Sequence, residues 1–261
     1  MNVLILGTGA AEGVPSPFCK CSTCVHARLN GGTNVRMRTS ALINDDLLID
    51  CGPDLVPATQ KFGVYLGDLT GLLVTHAHSD HWQPSNLMYR HPAFCPTSIA
   101  PLEIYGPESI IGSLPTSERW LTMEDEGNLH VTTVAAGDRW QHRRYTITAL
   151  PANHHGEPPA LLYIIDDGVR KLLYATDSGP FTEEAWSILA KAAPVDAVLM
   201  DETMGSGQYG EHQSFESFLT MHRRFIEDDL LADPAQFVAL HFSHQSNPTH
   251  DDLVAYFEPH D

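Results

Sequence analysis

Nine consecutive residues constrain this chain more than any other part of it: Leu73-Val74-Thr75-His76-Ala77-His78-Ser79-Asp80-His81. Three imidazoles and a carboxylate fall at positions 76–81, directly after a short apolar run. Imidazole nitrogens and carboxylate oxygens suit Zn, Mn or Fe. Alternate side chains of an extended segment share a face, so His76, His78 and Asp80 are expected on one side. A turn at Asp80-His81 would aim the neighbouring ligand at a second cation. The spacing thus fits two cations about 3.5–4 Å apart. A lone histidine is usually a surface or core residue, but donors packed this closely after an apolar run are not explained that way.

Four donors are too few for two cations, so others must come from later in the chain. His154 stands in Pro151-Ala152-Asn153-His154-His155 after the apolar run Tyr145–Leu150, and is preferred over His155, with the choice open. Asp177 follows Leu172–Thr176, and His241 follows Phe237–Leu240. A carboxylate offers two oxygens, so Asp177 can serve both cations.

These positions lie just after predicted strands, where a rigid scaffold delivers side chains to a shared site. Strands are predicted at Val3–Leu6, Ser40–Ile43, Leu47–Ile49, Leu72–Thr75, Ile104–Tyr105, Val131–Val134, Tyr145–Leu150, Leu161–Ile165, Leu172–Tyr174, Ala197–Met200 and Phe237–Leu240. Helices are predicted at Glu183–Ala192 after Thr182, at Phe215–Ile226, and from about Asp251, where Thr249 and Asp252 are spaced as a capping pair. Two β-rich halves with few helices suggest sheet packed on sheet with helices outside. No low-complexity linker divides the chain, so a single domain over 1–261 is expected.

Composition narrows the function. The formal net charge is −18, which disfavours a long nucleic acid but not a small phosphate ester, because bound cations reverse the local potential. No apolar run approaches the roughly 18–20 residues that span a bilayer. Met1–Gly7 lacks a basic leader region and reads as a strand, so a cytoplasmic location is expected.

Cys19-Lys20-Cys21-Ser22-Thr23-Cys24 gathers three thiols, a partial zinc site that needs a fourth ligand. A redox Cys-x-x-Cys and unligated reactive thiols are the alternatives; Cys51 and Cys95 read as ordinary buried residues. His241 and His244 are three residues apart, so a short turn can send one to the active site and the other elsewhere.

His76-Ala77-His78-Ser79-Asp80-His81 resembles the H-x-H-x-D-H signature of the metallo-β-lactamase superfamily, and Asp50-Cys51-Gly52 resembles its D-x-G element. The resemblance covers essentially the whole chain. It implies an α/β fold, the αββα four-layer sandwich of the metallo-β-lactamase type, with metals at one edge between two sheets. It further implies that His76, His78 and His154 hold one metal, that Asp80, His81 and His241 hold the other, and that Asp177 bridges them.

The cysteine array and the opening Gly7–Pro15 resemble one branch, the cyclic-phosphate phosphodiesterases of the carbon–phosphorus lyase pathway of phosphonate metabolism. That resemblance implies a structural zinc on Cys19, Cys21, Cys24 and His244. It also casts His212 as a non-ligand acid, with Asp80 joining it in the catalytic set. Asp201-Glu202 follows the strand Ala197–Met200 and is read either as support from outside the ligand set or as a carboxylate at a helix entry.

The expected activity is a metal-dependent phosphodiesterase using two active-site Mn or Zn ions to activate water on a small phosphate ester, cyclic ribose phosphates included. A homodimer is compatible with this. Three other readings stand beside it. Transfer-RNA 3′-processing nucleases share the metal signature but usually carry a basic Gly/Pro-rich arm not visible here. Thioester hydrolases or lactonases use the same metals. The pyrroloquinoline quinone biosynthesis protein shares the Gly-rich start and cysteine cluster but generally departs from the full histidine signature. Trp82, His91–Phe94 and Trp120 are candidates either for shaping the pocket or for the core.

Overall fold

The structure is a computed structural model describing residues 1–154, 160–208 and 210–260; His155 lies outside the described residues. Strands β1 (Val3–Gly7), β2 (Ser40–Ile43), β3 (Leu47–Ile49), β4 (Gly71–Leu73), β5 (Leu102–Gly106) and β6 (Leu129–Thr133) form one six-stranded sheet in that order. Strands β7 (Arg139–His142), β8 (Tyr145–Pro151), β9 (Leu161–Asp166), β10 (Lys171–Ala175), β11 (Val195–Asp201) and β12 (Leu231–Leu240) form the other. Each sheet is mixed: β1–β3 and β7–β10 pair antiparallel, whereas β3–β6 and β10–β12 pair parallel. The helices are α1 (Ser22–Asn30), α2 (Leu55–Phe62), α3 (Glu118–Asp125), α4 (Glu183–Ala192), α5 (Phe215–Glu227) and α6 (His250–Phe257).

Strand alternation builds the layers. Ile43, Leu47, Ile49 and Leu73 of the first sheet meet Tyr145, Ile147, Tyr163 and Ile165 of the second in a central core. Their neighbours Leu42, Leu48 and Leu72 face outward onto Ala58 of α2 and Trp120 and Met123 of α3. On the other side Leu162, Ile164 and Leu173 face Trp186 and Leu189 of α4 and Phe218 and Phe225 of α5. With both faces of each sheet covered, central strands read as continuous apolar runs rather than alternating ones. Each buried Leu or Ile contributes roughly 1.5–3 kcal/mol. Helix, sheet, sheet, helix is the expected αββα order.

The capping signals are realised. Thr182 Oγ1 accepts from Ala185 N at 3.2 Å, and Thr249 and Asp252 form a reciprocal capping box at the start of α6. Several elements escaped the sequence reading. β7 carries Arg139 and His142 and pairs as a hairpin with β8, so its polar composition hid it. β12 begins at Leu231, although Asp233-Pro234 breaks the pattern. The register with β11 jumps from Val195↔Leu231 to Ala197↔Gln236, and this bulge accommodates the proline. Trp82 and Trp120 join the outer core under the first sheet and do not shape the metal pocket.

Parallel strands β3, β4, β10, β11 and β12 deliver their C-terminal ends to one edge. Three of the residues there have left-handed backbone: Asp50 (φ 60°), Asp177 (φ 55°) and His241 (φ 64°). For a non-glycine residue this costs on the order of 1–3 kcal/mol, and such strain gathers at functional sites.

Candidate metal centre

Asp177 belongs to three donor sets: the two expected ones, and a third with Asp201, His212 and His241. His76, His78, His154 and Asp177 offer ligand atoms that all lie within 4.8 Å of one another, and so do Asp80, His81, Asp177 and His241. In the first set His76 Nε2 is 2.9 Å from His78 Nδ1, and His154 Nε2 is 3.3 Å from the same atom. Asp177 Oδ2 stands 3.0 Å from His76 Nε2 and 3.6 Å from His154 Nε2. In the second set that same oxygen is 3.1 Å from His81 Nε2 and 3.8 Å from His241 Nε2. His81 Nε2 also lies 3.2 Å from Asp80 Oδ2 and 3.2 Å from His241 Nε2.

The first of the expected projections needs correcting. Asp80 does not share a side with His76 and His78. His81 N and Trp82 N both donate to His78 O, so the chain turns from His78 onward and carries Asp80 over to the His81 set. The segment after β4 is thus extended only through its first histidines.

What aims the rings is a pair of matching relays. Asp50, buried after β3, accepts from Thr75 N and Thr75 Oγ1 at 2.8 and 3.0 Å, while its Oδ2 sits 2.7 Å from His81 Nδ1. Thr75 Oγ1 is in turn 3.0 Å from His76 Nδ1. On the second sheet Asp201 accepts from Thr203 Oγ1 at 2.9 Å, and that hydroxyl is 2.8 Å from His241 Nδ1. His212 Nδ1 lies 3.1 Å from Asp201 Oδ2 and 3.3 Å from Asp177 Oδ1. The partners of Nδ1 assign its proton there in His76, His81 and His241, leaving the Nε2 lone pairs facing one another. Converging lone pairs repel unless a cation lies among them, so these residues fit a metal.

The carboxylates here call for positive charge: burial opposes it, but Asp50 and Asp80 raise His81 and Asp177 raises His241, a demand that a cation among the rings would meet in place of protons. Burial favours protonation of Asp177, yet the surrounding His241, His76 and His81 hold its carboxyl well below the usual range. Asp80 is lowered in the same way by His81 and His241. Burial pushes His154 down to about 4 and lowers His76, keeping both neutral and able to coordinate. Burial lowers His212 too, but the Asp201 carboxylate prevails and raises it. Glu202, buried beside Asp201, is pushed up to about 9.

The centre opens into a cavity of about 300 Å³ lined by Glu12, His78, Asp80, His154, His212 and Ser243, among others. Glu12 was missed in the sequence. Its Oε1 accepts from Ser243 Oγ at 2.8 Å and lies 3.0 Å from His244 Nε2. Asp50 was noted only through the D-x-G resemblance, and Thr75 and Thr203 not at all; a threonine beside a histidine carries no signal by itself.

A fourth set lies beyond this cavity. Cys19, Cys21, Cys24 and His244 bring their ligand atoms within 4.8 Å of one another, with His244 Nδ1 3.5 Å from Cys21 Sγ. Cys21 Sγ accepts from Cys24 N at 3.4 Å; burial opposes its ionisation, but this and its other hydrogen bonds bring the thiol down to about 7. His241 and His244 therefore point to different clusters, as their spacing suggests. Cys51 is buried as expected, but Cys95 is only half-buried, at a different cavity.

Residues 46–242 match the family described as the Beta-lactamase superfamily domain. The chain belongs to that superfamily. It is 24% identical over 307 aligned positions to ribonuclease Z of Picosynechococcus, covering 98% of this chain and 90% of the relative. It is 28% identical over 160 to ribonuclease BN of Erwinia tasmaniensis, covering 59% of this chain and 46% of the relative. Over 85 positions it is 38% identical to an octanoyltransferase of Porphyromonas gingivalis, which is 31% of this chain and 16% of that protein. The chain thus spans less than half the length of these last two relatives.

Among solved structures, a diphosphatase of the PhnP family superposes with a TM-score of 0.72 at 18% identity, covering 96% of this chain and 89% of that one. Zn(2+)-bound PqqB from Methylobacterium extorquens superposes with 0.68 at 19% identity, covering 93% and 89%. These neighbours share the metallo-β-lactamase fold. The fold together with its His/Asp clusters implies divalent metal binding. Among the described residues, no helix is long and apolar enough to cross a membrane.

Proposed function

We propose that the protein is a phosphodiesterase for a small phosphate ester, with His76, His78 and His154 holding one divalent cation, Asp80, His81 and His241 a second, and Asp177 both. When bound, such a pair supplies hydroxide at neutral pH and neutralises charge growing on a phosphoryl group. Mn and Zn both suit these ligands.

The observation that carries the reading is His212. It lines the same cavity, and its Nδ1 is held by Asp201 at 3.1 Å and stands 3.3 Å from Asp177 Oδ1. The Asp201 carboxylate raises its affinity for a proton. A protonated imidazole held there donates to the departing alkoxide, the group that hydrolysis of a phosphodiester must protonate. Names of the relatives, ribonuclease and diphosphatase, support chemistry at phosphorus. A cavity of about 300 Å³ and a charge of −18 favour a small ester over a long RNA. Cys19, Cys21, Cys24 and His244 are assigned a structural zinc, which leaves His241 free for the active site.

A nuclease reading is favoured by the ribonuclease Z match along 98% of the chain. One panel separates the two: bis-p-nitrophenyl phosphate, a cyclic ribose phosphate and an RNA with a 3′ trailer, each with metal-loaded and chelated protein. Metal-dependent cleavage of the two small esters, with the RNA intact, is expected. RNA cleavage alone would transfer the assignment to the nuclease, and no cleavage of any phosphodiester would end both. Sedimentation of the same sample tests the expected homodimer.

A further inference from the structure

A second cavity, of about 240 Å³, lies on the outer side of the first sheet, away from the metal ligands. Its walls are apolar: Leu48 and Leu72 from β3 and β4, Leu55 from α2, and Leu87 from the 3-10 turn Pro84–Arg90. Tyr65 and Tyr89 stand half-exposed at its rim. One charged residue lines it, Arg90. Its Nη2 donates to Ala100 O, but its buried Nε has no hydrogen-bond partner, and among the described residues no carboxylate forms an ion pair with it. Burial lowers the affinity of this guanidinium for its proton.

An unpaired, partly desolvated guanidinium is costly, and Arg is shaped to receive a carboxylate in two parallel hydrogen bonds. An apolar space of about 150 Å³ takes a benzene ring, so this cavity has room for a ring or short chain bearing one acid group. We propose that the cavity is a binding site for a small amphipathic carboxylic acid, its hydrocarbon body between α2 and the first sheet and its carboxylate on Arg90. In a chain of net charge −18, such an anion is drawn in only where a local cation outweighs the general repulsion. The site is independent of the reaction at the metal centre.

Calorimetric titration of the metal-loaded protein with hexanoate and phenylacetate, against hexanol and phenylethanol, tests this. The acids should bind with Kd at or below about 1 mM and at least tenfold more tightly than the alcohols. Arg90→Gln should remove that preference, and Val64→Phe, which fills the cavity while leaving Arg90, should weaken acid and alcohol alike. Saturating inorganic phosphate, which the proposed function directs to the metal centre, should not compete. Acid binding that phosphate displaces, that neither variant alters, or that matches the alcohols would overturn the proposal, as would no heat at about 10 mM ligand. Should Arg90→Gln fail to fold, the Val64→Phe and phosphate arms decide alone.

Discussion

Thr75 and Thr203 occupy matching places on opposite sheets: each hydroxyl lies within 3.0 Å of a histidine Nδ1 and of a buried aspartate oxygen. Two sheets of different topology thus converge on one device for aiming a ring. Asp50 works through Thr75 on His76 and directly on His81; Asp201 works through Thr203 on His241 and directly on His212.

Thr203→Val keeps the shape and removes the relay. Metal affinity should fall about 10- to 100-fold, as for other partners behind metal-bound histidines. Competition with a chelating dye reads this directly. Unchanged affinity would mean that the hydroxyl only packs. Thr75→Val should act alike through His76.

His212→Asn should leave metal content intact, since His212 Nδ1 is taken up by Asp201 and Asp177 and His212 belongs to neither the His76 nor the His81 donor set. Turnover of a diester with an alkyl leaving group should fall about 10²- to 10⁴-fold. A p-nitrophenolate leaving group needs little protonation, so that substrate should lose much less. Equal losses on both would assign His212 another role.

Glu202 sets a pH dependence of stability. Its carboxyl titrates near 9 in the folded protein against 4.5 for an unperturbed glutamate, because burial and then Asp201 favour the neutral form. Between these values the folded chain holds a proton that the unfolded chain has released. Its contribution is therefore complete below pH 4.5 and is lost progressively up to about pH 9. Glu202→Gln should remove a slope of up to about 1.4 kcal/mol per pH unit across that window. Denaturant titrations of chelated protein at pH 6 and pH 8 test it: the variant's advantage should grow with pH, and an advantage that shrinks would refute the buried, neutral Glu202.

Cys24→Ser should abolish high-affinity zinc at the cysteine set while leaving the His/Asp centre able to load. Removing one ligand of a structural zinc costs several kcal/mol, so Tm should drop by at least about 10 °C. Metal analysis showing the same zinc content as the parent chain would refute the assignment.

Much of this was legible beforehand. The H-x-H-x-D-H run and the strand-end positions of His154, Asp177 and His241 marked the centre because ligand chemistry restricts residue type and strands place them predictably. The split of Asp80 from His76 came only from the family resemblance and not from strand alternation, because it depends on a turn whose hydrogen bonds run to a main-chain carbonyl at His78. Thr75, Thr203 and Glu12 were invisible for a related reason: Thr75 meets Asp50, and Thr203 meets His241, across neighbouring strands of one sheet, and Glu12 meets His244 from the opposite end of the numbering. α1, α2 and α3 are short, and their register is set by the core they cover rather than by a periodicity of their own.

Cys21 and His244 stand 223 positions apart and meet only in the finished fold. A ribosome adding about 5–20 residues per second takes roughly 10–45 s to cover that distance. For that interval the three thiols of residues 19–24 emerge with no histidine to join them, exposed to whatever oxidant or stray ion the surroundings contain. The moment of greatest chemical vulnerability for this protein thus falls during its synthesis, before it has any activity to lose.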